Sequence, residues 1–156
     1  MTTQLTGKNN YFEAFTVGRT IRHARGKTIE SLESVLLNHL SMNSASAHFD
    51  EHAMRNTPFG QRVTFGGITA AVVIGLASQD TSENAIAELG MTGMRLKSPV
   101  VNGDTLYAFT EVLSATEENA TAGVVVFRHL GMNQHDKLVF ECERRVRIRR
   151  QPGAAS

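Results

Sequence analysis

Thiol chemistry is nearly absent from this chain of 156 residues: it holds a single cysteine, Cys142. One cysteine rules out an intramolecular disulfide and suits a reducing compartment. An excess of charge of either sign is missing too, since 16 basic residues stand against 15 acidic ones. No large field therefore draws the chain to nucleic acid or to an anionic membrane. Long apolar runs are lacking as well. The longest, around Ile68 to Ala77, is too short and too rich in small residues to span a bilayer. The stretch from Met1 to Asn10 is polar and has no apolar core of the secretory kind. No linker, internal repeat or low-complexity block interrupts the chain. We therefore expect a soluble, cytoplasmic protein with one domain over residues 11–150 and one core, flanked by flexible tails at 1–10 and 151–156.

What the chain does contain is a change of hydrophobic period. Thr28 to Leu40 reads as a helix, with Ile29, Leu32, Leu36 and Leu40 at helical spacing and Glu30 and Glu33 in its first turns. Ser41 to Ser46 breaks that pattern, and a second short helical piece runs from about Asp50 to Arg55. Gly66 to Gln79 predicts the central helix, with Ile68, Ala71, Val72, Gly75 and Leu76 as its apolar stripe and small residues that keep it slim. From there the period becomes two. Ile86–Val100, the alternating Leu106–Leu113, Gly123–Leu130 and Lys137–Arg150 read as strands, and Thr20–Lys27 as an earlier one. Asn102-Gly103-Asp104 and Gly131–Asp136 supply turns. His129 and His135, on or beside a hairpin, are expected at the solvent. With no alternating βαβ order, this is an α+β chain: an antiparallel sheet curled around one long helix.

Four landmarks then carry a resemblance. Tyr11 to Gly18 has the form of an aromatic–acidic entry ending in Val-Gly; Ser41 to Asp50 holds a Ser-rich loop ending in His48-Phe49-Asp50; Thr57-Pro58-Phe59-Gly60 and Phe65-Gly66 approach the central helix; Asn102 to Leu106 contains Gly-Asp-Thr-Leu. In that order they resemble the MaoC-like dehydratases, which include the (R)-specific enoyl-CoA hydratases. The Met42-Asn43 pair and Phe59-Gly60-Gln61-Arg62 resemble most the branch of itaconyl-CoA and mesaconyl-CoA hydratases. The resemblance implies a hot-dog fold, with the sheet wrapped around the central helix. It also implies an acyl thioester substrate carried by CoA or an acyl-carrier protein, no further cofactor, and a homodimer or higher multiple. The loop departs from the family pattern: Asn43 stands for its Asp, Ala45 for its Asn and Ser46 for its Pro. Of the loop's polar catalytic positions only His48 matches.

Hydrating an enoyl thioester requires a base for water, a proton for Cα, and donors for the charge that develops on the thioester oxygen. The resemblance makes His48 the acid/base; the alternative is a histidine packed under its loop. Asn43 cannot be a base, because an amide has no usable proton affinity near neutrality. It either orients water or His48, or serves only the loop. Asp50 and Glu51 could supply the missing carboxylate, although Asp50 also reads as a helix N-cap. Gly66, where the central helix begins, is the candidate oxyanion-hole donor, against a reading of close helix–sheet packing.

His48 and His52 lie one turn apart, but no HExxH motif or third ligand accompanies them, so no metal is expected. The basic run Arg144 to Arg150 alternates as a strand with a solvated face. It and, similarly, Arg95 and Lys97 are candidates for contact with a CoA phosphate, against the plain reading of a solvated sheet face. Two other readings stay open. One is a thioesterase of the same fold, against which counts the lack of a carboxylate on the central helix between Ile68 and Ser78. The other is an inactive thioester-binding member.

Overall fold

A slim helix clasped by an antiparallel sheet is what the change of period implies, and the computed structural model, which describes residues 2–4 and 10–153, has that form. Five strands make the antiparallel part: β2 (Thr20–Thr28), β3 (Ala85–Leu96), β4 (Thr105–Glu117), β5 (Ala122–Met132) and β6 (Leu138–Arg149). Their spatial order is β2-β4-β5-β6-β3, and β1 (Thr2–Gln4) adds a parallel strand outside β2. A strand and a buried Asn10 thus stand in part of the tail expected at 1–10. Residues 1, 5–9 and 154–156 of the expected tails lie outside the described residues.

The helix α4 (Gly66–Ser82) packs across the sheet. Its phase matches the sequence expectation only in part. The buried face carries Ile68, Thr69, Ala70, Val73, Ala77, Asp80 and Thr81; of the expected stripe Ile68 is buried and Val72 and Leu76 are partly buried against the core, whereas Ala71 and Gly75 are exposed. In a segment apolar on nearly every side the hydrophobic pattern gives little rotational guidance, so close approach decides. Gly131 of β5 shows this, for a Cβ there would lie 2.5 Å from Val73 Cγ2. The small faces of helix and sheet set their separation.

The core has two apolar parts. Ile29, Val73, Ala77, Leu106 and Phe140 belong to one, Phe12, Phe15, Val112, Phe127 and Val146 to the other. Both draw on the alternate residues of β4, β5 and β6 that face inward, as the period of two requires, and add residues of α4 and of the chain before it. Each fully buried side chain of this size contributes roughly 1.5–3 kcal/mol.

The helix α1 (Ser31–Leu40) begins three residues later than expected, because Thr28 closes β2. Glu30 caps it in a capping box with Glu33. Its orientation reverses the reading of its leucines. Leu32, Leu36, Leu37 and Leu40 face outward, while Ser34 and Asn38 are buried. Two single turns follow, α2 (Ser46–Phe49) and α3 (Glu51–Met54), the second capped by Asp50, which accepts the Ala53 N–H at 2.9 Å.

Candidate active site

His48 sits in α2, the single turn that forms where the sequence suggested a plain loop. Its Nδ1 lies 2.7 Å from the carbonyl oxygen of Val63. A carbonyl can only accept, so Nδ1 carries the proton and Nε2 of the neutral ring is left as the base. The Val63 N–H in turn donates to Ala47 O at 3.0 Å, so α2 and the segment ahead of α4 hold each other. The ring also packs at 5.6 Å from that of Phe65, the residue that caps α4. The geometry therefore brings His48 to the entrance of the central helix.

There Ile68 N and Thr69 N both donate to Phe65 O, at 2.9 and 3.2 Å. The N–H groups of Gly66 and Gly67 have no helix partner, as the first turn of any helix dictates. Leu96, at the end of β3, lays its side-chain tip over Gly66, so that a Cβ on Gly66 would collide with it. Glycine at this position thus serves close packing and at the same time leaves an amide open.

Asn43 is held differently. Its Oδ1 accepts the Ala45 N–H at 3.1 Å, while its own N–H donates to Asn38 O at 2.9 Å. Met42 just before it has φ 53°, which bends the chain out of α1. No hydrogen bond joins Asn43 to His48 among the described residues. The two carboxylates beside His48 are engaged as well. Asp50 caps α3. Glu51 accepts from Arg62 Nε at 3.0 Å and from Arg62 N at 3.3 Å, and the Arg62 side chain holds its carboxyl below the usual range.

The central helix is one turn longer than expected and carries a carboxylate after all, Asp80. It does not stand at the entrance. Fourteen residues separate it from Gly66, ~21 Å along the axis at 1.5 Å per residue. Its Oδ2 is 2.6 Å from His23 Nδ1, with both side chains fully buried. The line continues through His23 Nε2 to Thr110 Oγ1 at 2.7 Å and on to His129 Nδ1 at 2.8 Å. Burial lowers the pKa of His23 despite the Asp80 carboxylate. It lowers that of His129 to about 3, helped by Arg144 and His23. With both rings neutral every bond runs one way: His129 donates to Thr110, Thr110 to His23, and His23 to Asp80. His129 is therefore a core residue and not the solvent-facing one expected from its place near a hairpin.

The basic run at the end of β6 is largely neutralised. Arg144 is buried and bonds Glu88 through two nitrogens. Arg147 meets Glu118 at 2.7 Å, and Arg150 meets Glu13 at 3.0 Å and Glu117 at 3.3 Å. Arg95 and Lys97 share Glu141, at 3.5 and 3.6 Å. Among the described residues no cluster of three His, Cys, Asp or Glu could hold a metal ion, and no helix is long and apolar enough to cross a membrane.

The model of the mesaconyl-CoA hydratase family matches residues 13–150, a span that holds every candidate site residue. The chain belongs to this family. Two curated relatives agree: a β-methylmalyl-CoA dehydratase of Chloroflexus aurantiacus is 32% identical over 96% of this chain, and a mesaconyl-CoA hydratase of Cereibacter sphaeroides 33% identical over 96%. The chain spans 43% and 44% of those two proteins, under half of each.

Solved structures confirm the hot-dog architecture of this family member. A MaoC-like dehydratase from Rhodospirillum rubrum superposes with a TM-score of 0.82 at 23% identity, covering 92% of this chain and 99% of that one. A Mycobacterium tuberculosis protein with a double hotdog fold superposes with a TM-score of 0.84 at 22% identity, covering 94% of this chain and 46% of that one. The mesaconyl-CoA hydratase relationship expected from the Met42-Asn43 pair and the Phe59–Arg62 stretch is thus shown.

Proposed function

We propose that this chain is a hydro-lyase that adds water to an enoyl thioester of CoA, or removes it from the 3-hydroxyacyl form, with His48 as the acid/base. The observation that carries the reading is the bond from His48 Nδ1 to Val63 O, which leaves Nε2 unprotonated beside the start of α4. Nε2 takes a proton from water as the oxygen attacks Cβ. The imidazolium then returns that proton to Cα, so that hydrogen and hydroxyl both come from one water and nothing else is consumed. The charge that builds on the thioester oxygen is met by the free N–H at Gly66, reinforced by the helix dipole. Asn43, whose Oδ1 is used within its turn, keeps its amide N–H groups for the water oxygen. No metal or bound cofactor enters this scheme. CoA is favoured over a carrier protein by the names of the relatives.

The thioesterase reading loses support, since the carboxylate of α4 is spent on His23 in the core at the far end of the helix. Following enoyl absorbance and free thiol together decides between the two. Hydration removes the absorbance without releasing thiol, and release of thiol in step with substrate loss would mean hydrolysis.

We further propose that two hot-dog units pair to complete the site, as a homodimer or higher multiple. Support comes from β3, which among the described residues pairs with β6 alone and exposes Ile86, Leu89, Met91, Met94 and Leu96. An open apolar edge of this length is a pairing surface.

A further inference from the structure

The stretch Phe59-Gly60-Gln61-Arg62 has no part in the chemistry above, yet it leads straight into Val63, whose carbonyl fixes the His48 ring. Phe59, Gly60 and Gln61 are exposed, and the chain turns at Gly60, where φ is 68°. Bonds inside this loop are local: Gly60 N donates to Thr57 O at 3.0 Å and Phe59 N to Thr57 Oγ1 at 3.3 Å. They do not hold a carbonyl in place fifteen residues from the ring it orients. Nor do α2 and α3 supply a rigid frame, since each is a single turn of four residues and helices this short do not persist alone.

A bracket of bonds at Arg62 joins the two pieces. Glu51, three residues past His48, opens α3. One oxygen of its carboxylate, Oε2, accepts both the backbone N–H of Arg62 at 3.3 Å and the side-chain Nε–H at 3.0 Å. The far end of the same guanidinium, Nη2, donates to Ser31 Oγ at 3.1 Å, at the first residue of α1. Beyond Val63, the Thr64 N–H donates to Val100 O at 2.7 Å. The Val63 carbonyl is therefore pinned from both sides, through Glu51 before it and Val100 after it. As a contribution to folding the ion pair is small, because the Glu51 side chain is 43% exposed. Its effect on geometry is larger, since a misplacement of about 1 Å at a reacting group costs roughly a hundredfold in rate.

Resting on the hydratase reading, we propose that Glu51 and Arg62 are positioning residues for His48: their bonds hold the Val63 carbonyl against Nδ1 and so keep Nε2 the nitrogen without a proton. Neither side chain moves a proton itself. Glu51 thus does not replace the carboxylate that the loop lacks at Asn43; it acts through Arg62 and Val63. Without the bracket the ring is free to turn, or to carry its proton on Nε2, where it cannot serve as base.

The test uses Glu51→Ala, Glu51→Gln, Arg62→Met and the control Glu111→Ala, which removes an exposed ion pair of the same kind, to Arg128 at 3.2 Å on the sheet. Hydration of mesaconyl-CoA, the thioester in the family's name, is followed by loss of enoyl absorbance. Glu51→Ala should lower kcat by roughly ten- to a hundredfold with KM and Tm little changed. Arg62→Met keeps the backbone bond and should fall between Glu51→Ala and the wild type. Glu51→Gln, whose amide oxygen accepts the same two N–H groups less strongly, should lose less than about threefold. Glu111→Ala should match the wild type. A Glu51→Gln variant as impaired as Glu51→Ala overturns the proposal, because the carboxyl would then take part in the chemistry, and so do Glu51→Ala and Arg62→Met variants with wild-type kcat. The second measurement needs no turnover. Nitrogen-15 spectra of the histidines at about pH 9, above the range where imidazoles titrate, report which ring nitrogen bears the proton. The wild type should show His48 protonated at Nδ1 alone, and Glu51→Ala should show the proton shared with Nε2. An unchanged His48 signal in Glu51→Ala overturns the bracket. A wild type that hydrates no enoyl thioester defeats the hydratase reading instead, and the spectra still judge the bracket.

Discussion

Which nitrogen of an imidazole carries the proton is fixed by a neighbour, and for His48 the neighbour is the carbonyl of Val63, fifteen residues on. The sequence could place His48 in a catalytic loop by resemblance, but its tautomer depends on a contact that no local pattern encodes. The same holds for Asn43, whose turn with Ala45 becomes visible only in three dimensions. Gly66 was readable in part. A helix start was evident from Phe65-Gly66-Gly67, whereas the Leu96 tip resting on it was not. That contact shapes the expected outcome of Gly66→Val. The new side chain displaces Leu96, an exposed and flexible neighbour, so the fold should survive, while the amide is screened from the thioester. Turnover should fall about a hundredfold or more, the usual cost of losing one such donor. Circular dichroism with steady-state rates checks this; a folded valine variant with normal turnover would remove Gly66 from the site.

At the level of elements, strands were easier to read than helices. The inward set Phe140, Cys142, Val146 and Ile148 of β6 is buried as the period of two required. The buried face of α1 was not found and that of α4 only in part, at Ile68, Val72 and Leu76, and for one physical reason. A helix takes its rotation from what it packs against, and here the slim side of α4 meets Gly131 while α1 turns its serine and asparagine inward. His129 was misread because a histidine near a hairpin is ordinarily solvated, and its partner Thr110 lies on another strand. Its burial has a consequence for acid stability. With a folded pKa depressed from 6.5 to about 3, the neutral ring contributes stability in full above 6.5. As the pH falls from 6.5 towards 3 the unfolded chain binds the proton and the folded one does not, so stability is lost. His129→Gln cannot take up that proton, and its Tm should decline less steeply over the same range. His23, lowered by burial in the same line, retains part of the slope. Parallel Tm–pH curves for wild type and variant would contradict the assignment.

For the whole molecule, the hot-dog architecture was legible because the order of periods, helical then alternating, admits few arrangements, and the landmarks from Tyr11 to Leu106 narrowed them to one family. What the order of periods does not convey is how many such units a working site needs. The pairing proposed for the exposed edge of β3 would need at least two. Sedimentation at micromolar concentration should show a dimer or larger species, and Leu89→Lys with Met94→Lys should shift it towards monomer; a wild type that is monomeric throughout would refute the pairing. The central claim concerns His48 and is reached most directly by one measurement. An enoyl-CoA that the wild type turns over is incubated in ¹⁸O-labelled water with the wild type and with His48→Ala, and label at Cβ is followed by mass spectrometry. The account predicts label at Cβ with no thiol released, at a rate about a hundred- to ten-thousandfold lower for the alanine variant. Label entering at the wild-type rate in His48→Ala would contradict it.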